Sequence, residues 1–340
     1  MTEKPVETSG SQAPRLRGGQ CPRLGCLVGV AALLAVALAT GCDSPLRAPK
    51  FQLSTAEWSY HDAVGQVLTT DHFEIYTTIQ DEGLREVLPL FLESAYRLYS
   101  KLLAPSDADN PRMQTYLFNT RFEWDRFVRE NFPQRYPVYR LIQSGGFAEG
   151  RKCVAYYLRR SYTLSIIAHE GMHQYFGSHF DVKIPPWLNE GLATYCEGFD
   201  FRGDLPVFLP RQNTFRLNPL RRTLTTDGVL PLRQILTTHA GEVVGEGHSG
   251  LTSAYYAQVW ALTVFLRHGK LGKYAGGFAE MLEDIRNGSL HTKARAARLA
   301  SGDPSRMGLG EAVFRAYITH DLDDFEREYR DYMVELAGFK

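Results

Sequence analysis

Residues 167–176 read Ile167-Ala168-His169-Glu170-Gly171-Met172-His173-Gln174-Tyr175-Phe176, and the kind of domain this chain builds turns on that stretch. A helix repeats every ~3.6 residues, so two histidines four positions apart fall on one face and both imidazoles reach a single metal ion. Glu170, next to the first histidine, then points beside the ion, where it can take a proton from water acidified by the metal. Zinc suits imidazole nitrogen and in catalytic sites keeps one position open. A surface helix carrying two histidines by chance is the plain alternative. The apolar flanks argue against it: Leu164, Ile166, Ile167, Met172, Tyr175 and Phe176 predict a buried helix from Arg160 to Phe176. Burying two histidines and a glutamate without a shared partner is costly.

A catalytic zinc needs a third protein ligand. Glu190 stands 17 positions beyond His173, in Pro186-Trp187-Leu188-Asn189-Glu190-Gly191-Leu192-Ala193-Thr194. Pro185-Pro186 opens a second expected helix, Pro186 to Glu197, as proline can at a first turn. This segment resembles the glutamate helix of the gluzincin peptidases. It is most similar to the Trp-Leu-Asn-Glu-Gly-x-Ala run of the zinc aminopeptidases related to leukotriene hydrolase. The resemblance implies one zinc per chain held by His169, His173 and Glu190, with Glu170 as general base, in a zincin-like metallopeptidase domain acting on peptide or protein substrates. Gly191 and Ala193 are small enough to let the two helices pack closely. His179, six after His173, competes for the third position with the spacing of the metzincins, HExxHxxGxxH. That pattern needs glycine at position 176, where this chain has Phe176, and no Met-turn follows, so Glu190 is favoured.

Other site residues are implied more loosely. The run Ala254-Tyr255-Tyr256-Ala257-Gln258-Val259-Trp260-Ala261-Leu262 resembles the gluzincin helix that supplies a tyrosine hydroxyl to the developing oxyanion. Tyr256 is the better match, Tyr255 the reserve, and two core tyrosines on an amphipathic helix the alternative. Gly145-Gly146-Phe147-Ala148-Glu149-Gly150 shares only its Gly and Glu with the amine-binding run of those aminopeptidases. Gly146 and Glu149 are therefore substrate-binding candidates in what reads chiefly as a turn into a strand from Val154 to Leu158, itself a candidate edge strand for pairing with an extended substrate. Thermolysin-type enzymes orient a zinc histidine through an aspartate four residues after the ligand glutamate. Thr194 stands there, so the group orienting the histidine must differ.

Outward from the motif, strands are expected at His72–Thr78 and Met113–Phe118, and helices at Leu84–Leu103 and Phe122–Phe132. Residues 200–250, rich in Gly, Pro, Thr and Arg, read as an extended loop region, and Ser253–Gly338 as helices joined by glycine-containing turns. Strands and helices followed by helices alone give an α+β fold: a small mixed sheet, the active-site helices and a helical C-terminal half.

The first 41 residues are of another kind. Arg15, Arg17 and Arg23 precede an uncharged stretch, Leu24 to Gly41, that ends in Ala39-Thr40-Gly41-Cys42. Basic region, apolar region and small residues describe a secretion signal. The cysteine after Gly41 resembles the lipobox of bacterial lipoproteins, in which Cys42 would be lipidated, although Ala39 occupies the usual leucine position. Asp43 is similar to a signal for inner-membrane retention. An uncleaved anchor is the alternative, since 18 uncharged residues sit at the short end of a transmembrane helix. Either way the chain is exported and held at the cell envelope. The division is then signal or anchor at 1–41, linker at 42–65 and catalytic domain at 66–340. Of five cysteines, Cys153 and Cys196 remain in the domain, as a disulfide or as two buried thiols. With 38 basic and 38 acidic residues the chain lacks the cationic excess of a nucleic-acid binder. The functional expectation is a membrane-tethered zinc peptidase. Its rivals are a catalytically silent binding module on the same fold, and a zinc amidase or esterase acting on cell-wall material.

Overall fold

The computed structural model describes residues 47–105, 111–143, 145–238, 249–302 and 305–339. The signal or anchor, Cys42 and Asp43 lie outside them. None of the described helices is long and apolar enough to cross a membrane.

Alternation builds the sheet. In β3 (Phe73–Thr77), Phe73, Ile75 and Thr77 are buried while Glu74 and Tyr76 are half-exposed, the period-two pattern of a strand with one face on a core. With β1 (Ser54–Tyr60), β2 (Ala63–Thr69), β4 (Met113–Phe118), β5 (Gly146–Glu149) and β6 (Lys152–Tyr156) it forms a six-stranded sheet in the order β1-β2-β3-β4-β6-β5. The β3–β4 and β4–β6 pairs are parallel, the other three antiparallel. α1 (Glu82–Leu102) links the parallel β3 and β4, with the Asp81 carboxylate accepting from Leu84 N at 3.0 Å as its N-cap. α2 (Arg121–Asn131), capped by Thr120, covers the opposite face through Trp124, Phe127 and Val128. A single helical turn, α3 (Tyr136–Tyr139), precedes β5.

The motif helix α4 (Arg160–His179) is buried on almost every side, as its apolar flanks require. It packs on α1, β5 and β6 and against α5 (Pro186–Tyr195), which in turn packs on α8 (Ser249–His268). Between them come the hairpin β7 (Phe199–Arg202)–β8 (Leu205–Phe208), α6 (Thr214–Leu224) and α7 (Leu232–Thr237). α9 (Ala275–Arg286), α10 (Leu290–Ala300), α11 (Leu309–Tyr317) and α12 (Leu322–Ala337) complete the helical C-terminal half of an α+β fold.

Four expectations need correction. The 42–65 linker instead contains β1 and the start of β2. Ser54–Tyr60 shows little hydrophobic alternation because it is largely exposed; only Trp58 and Tyr60 rest on the aromatic face around Phe118. Residues 200–238 are not an extended loop but two strands and two helices. Two of their prolines mark element starts, Pro210 opening a short 3-10 turn and Pro231 preceding α7, where a missing N–H costs nothing, while Pro206 lies in β8 and Pro219 inside α6. β6 is an interior strand, and the edge is β5, with Gly146 as its first residue rather than in a turn. Gly191 serves a different contact from the one expected. A Cβ there would stand 2.3 Å from Thr263 Oγ1, so it lets α5 press on α8 rather than on α4. Cys153 and Cys196 are both free and buried.

A candidate metal centre at the foot of a cleft

α4 presents His169 and His173 one turn apart, and α5 brings Glu190 opposite them. The three donors form a nearly equilateral triangle. His169 Nε2 lies 3.2 Å from His173 Nε2 and 3.3 Å from Glu190 Oε2, and His173 Nε2 lies 3.5 Å from that oxygen. Ligands held tetrahedrally at zinc's usual bond lengths are spaced roughly 3.3–3.5 Å apart, so the donor set and its spacing fit such an ion. Glu190 Oε2 is enclosed and accepts no hydrogen bond of normal geometry, an orphaned acceptor that a cation would satisfy. Among the described residues this is the one group of three His, Cys, Asp or Glu side chains so placed.

The outer nitrogens of both imidazoles are occupied. His169 Nδ1 donates to Glu197 Oε1 at 2.6 Å and His173 Nδ1 to Asn189 Oδ1 at 3.1 Å. Because those oxygens accept at Nδ1, each ring in its neutral form keeps its proton there and turns the Nε2 lone pair to the centre, as metal-ligating histidines require. Glu197 is itself held from behind. Arg216 Nε donates to its Oε2 at 2.6 Å, Arg216 Nη2 donates to Oε1, and Asn213 Nδ2 donates to Oε2 at 3.2 Å.

The electrostatics follow from this crowding. Burial opposes protonation of His169, but the Glu190 and Glu197 carboxylates outweigh it and push the imidazole up to about 10. Burial also opposes ionisation of Glu197, yet Arg216 and His169 hold it down at about 2. Glu190, facing His173 and His169, is likewise held well below the usual carboxylate range against its burial. Glu170 goes the other way, because burial raises it more than the two imidazoles lower it. A carboxyl group so raised is a stronger base than an ordinary glutamate.

Above the triangle opens a cleft of about 1030 Å3, lined among others by Gly146, His169, Glu170, Arg216 and Tyr256. A Cβ on Gly146 would meet Val154 O at 2.8 Å and Glu170 Cγ at 3.3 Å, so only glycine lets the edge strand run this close to Glu170. Tyr256 of α8 sets its ring centroid 5.9 Å from that of His169, and the Arg216 guanidinium lies over the Tyr256 ring, 5.0 Å from its centroid. Burial and the Glu190 charge push its hydroxyl well above the ordinary value, so it stays a donor.

The structure thus brings together His169, His173, Glu190, Glu170, Gly146 and Tyr256. Tyr255 is fully buried and bonds to Thr238 O, away from the cleft. His179 packs among Tyr96, Tyr175 and Phe180 at the far end of α4 and is outside the donor triangle. Glu149 does not line the cleft; it accepts from the Tyr139 hydroxyl at 2.7 Å at the opposite end of β5. Sequence reasoning missed Asn189, Glu197 and Arg216. Glu197 had only an indirect signal, since the expected helix ran to it, whereas α5 ends at Tyr195 and the turn through Cys196 carries the carboxylate to His169. Arg216 had none, its place depending on how α6 folds back. Compared with protein-family models the chain matches none, and no curated protein matches it.

Proposed function

We propose that the chain is a zinc-dependent hydrolase of gluzincin type, with a zincin-like catalytic domain that cleaves peptide bonds in peptide or protein substrates, and that its N-terminal segment exports it and tethers it to the cell envelope. The observation that carries this reading is the triangle of His169 Nε2, His173 Nε2 and Glu190 Oε2 at 3.2–3.5 Å, open to a cleft that also holds Glu170. Zinc held there supplies a Lewis acid for a carbonyl oxygen and lowers the pKa of water. Glu170 takes the proton from the attacking water and hands it to the departing amine. The Tyr256 hydroxyl, kept protonated, donates to the negative charge that develops on the carbonyl oxygen. Glu197 and Asn189 keep the imidazoles in the metal-binding tautomer. The outer edge of β5, with no strand partner among the described residues, offers backbone groups to an extended substrate.

The test is metal content, measured on purified residues 43–340 for wild type and Glu190→Ala. About one zinc per chain, falling sharply in the variant, is the expected outcome. Turnover of a peptide library follows, with Glu170→Gln as the blank; the variant keeps zinc and loses on the order of 10²–10⁴ in rate. Wild-type protein that takes up no zinc would leave an envelope-anchored binding domain instead.

A further inference from the structure

The cleft above the candidate metal centre is mostly apolar, walled by Ile142, Leu158, Ile166, Phe215 and Pro219. Its charged side chains are unevenly paired. Glu170 faces the centre, and Glu197 and Arg216 satisfy each other. Arg222, near the end of α6, also lines the cleft and is exposed, yet its guanidinium has no hydrogen-bond or ion-pair partner among the described residues. The adjacent Arg221 shows what a purely structural arginine does here: it turns away to donate to Ala337 O at 2.9 Å. A cation in the last turn of a helix is favoured by the helix dipole, which accounts for a basic residue at this position but not for its facing the cleft unpaired. A guanidinium beside apolar walls binds carboxylate by a paired, charge-assisted fork.

We infer that Arg222 selects substrates by a carboxylate. The inference rests on the peptidase reading and specifies its substrate class. Arg222 lies six residues along α6 from Arg216, roughly 9 Å of helix axis. An extended peptide covers that distance in about three residues. The preferred substrate therefore carries an acidic group a few residues along the cleft from the cleaved bond, with apolar side chains between. An aspartate or glutamate side chain supplies that group, and so does a C-terminal carboxylate.

The test uses the zinc-loaded Glu170→Gln chain and fluorescent peptides in two arms. One arm compares Asp with Asn, stepped along an apolar peptide whose C-terminus is amidated. The other compares free-acid with amide C-termini on neutral peptides. The acidic member of one arm should bind about tenfold to a hundredfold more tightly at low salt. Arg222→Gln should remove that difference, and Arg222→Glu should reverse its sign. Thermal melting checks that each variant is folded. Equal binding of acid and amide in both arms, binding of no peptide, or a preference that survives Arg222→Gln overturns the inference. Turnover separates the two claims: wild type that cleaves acidic and amide peptides alike sinks only the Arg222 role, whereas wild type that cleaves nothing beyond the Glu170→Gln blank sinks the hydrolase.

Discussion

At the scale of single residues, Glu197 has the most work to do outside the donor triangle. It fixes His169 through Nδ1 at 2.6 Å and draws Arg216 against the ring of Tyr256, so one carboxylate orients a candidate metal ligand and a candidate oxyanion donor together. Replacing it with glutamine removes the negative charge that holds both. Glu197→Gln should weaken zinc binding about tenfold to a hundredfold in a chelator competition, and an unchanged affinity would show that the position of His169 is set by packing alone. Helical spacing by itself put His169 and His173 on one face with Glu170 beside them, whereas Glu190 entered only through the resemblance of its helix, and it is the packing of α5 on α4 that brings its carboxylate to both imidazoles. Tyr256 was legible through resemblance, and the structure separates it from Tyr255 by which side of α8 each occupies. Glu149 misled because two matching residues in a glycine-rich run say nothing about which end of a strand meets the cleft.

At the scale of elements, glycines set how closely the helices approach. Tyr99 of α1 donates to Ala168 O of α4 at 2.7 Å, directly beside Gly171, where an added Cβ would stand 2.6 Å from the tyrosine oxygen. Gly171→Ala should therefore cost about 1–3 kcal/mol in chemical denaturation, and Tyr99→Phe in the same chain should recover part of that loss by removing the atom in the way. Additive losses in the double variant would mean that the helices separate instead of colliding. Strongly periodic elements such as α1, β3 and β4 were readable to within a residue or two. The β1–β2 hairpin was not, because an exposed strand carries no hydrophobic alternation, and neither was the stretch from β7 to α7, whose glycines and prolines punctuate short elements closely.

Across the whole molecule, the helical half is fastened by a polar knot remote from the cleft. Asp284 of α9 accepts from Tyr317 of α11 at 2.8 Å and pairs with Lys293 of α10 at 2.6 Å. Burial opposes its ionisation, but these donors outweigh it and lower the carboxyl from 3.8 to about 2. A folded-state value below the unfolded one contributes stability that is present above the unfolded value, and it is lost as pH falls from about 4 towards 2. Melting temperature should decline across that window, and Asp284→Asn should flatten this part of the decline while lowering stability at neutral pH. An identical acid profile in the variant would place the sensitivity elsewhere. The two free thiols lead to a different experiment. Cys153 on β6 and Cys196 at the end of α5 are both sealed from solvent. Neither can meet a reagent until the layers around the motif helix part, so the rate of alkylation under native conditions is a clock for that opening. Slower labelling once zinc is added would record, in minutes or hours, how firmly the ion locks the catalytic layer to the sheet.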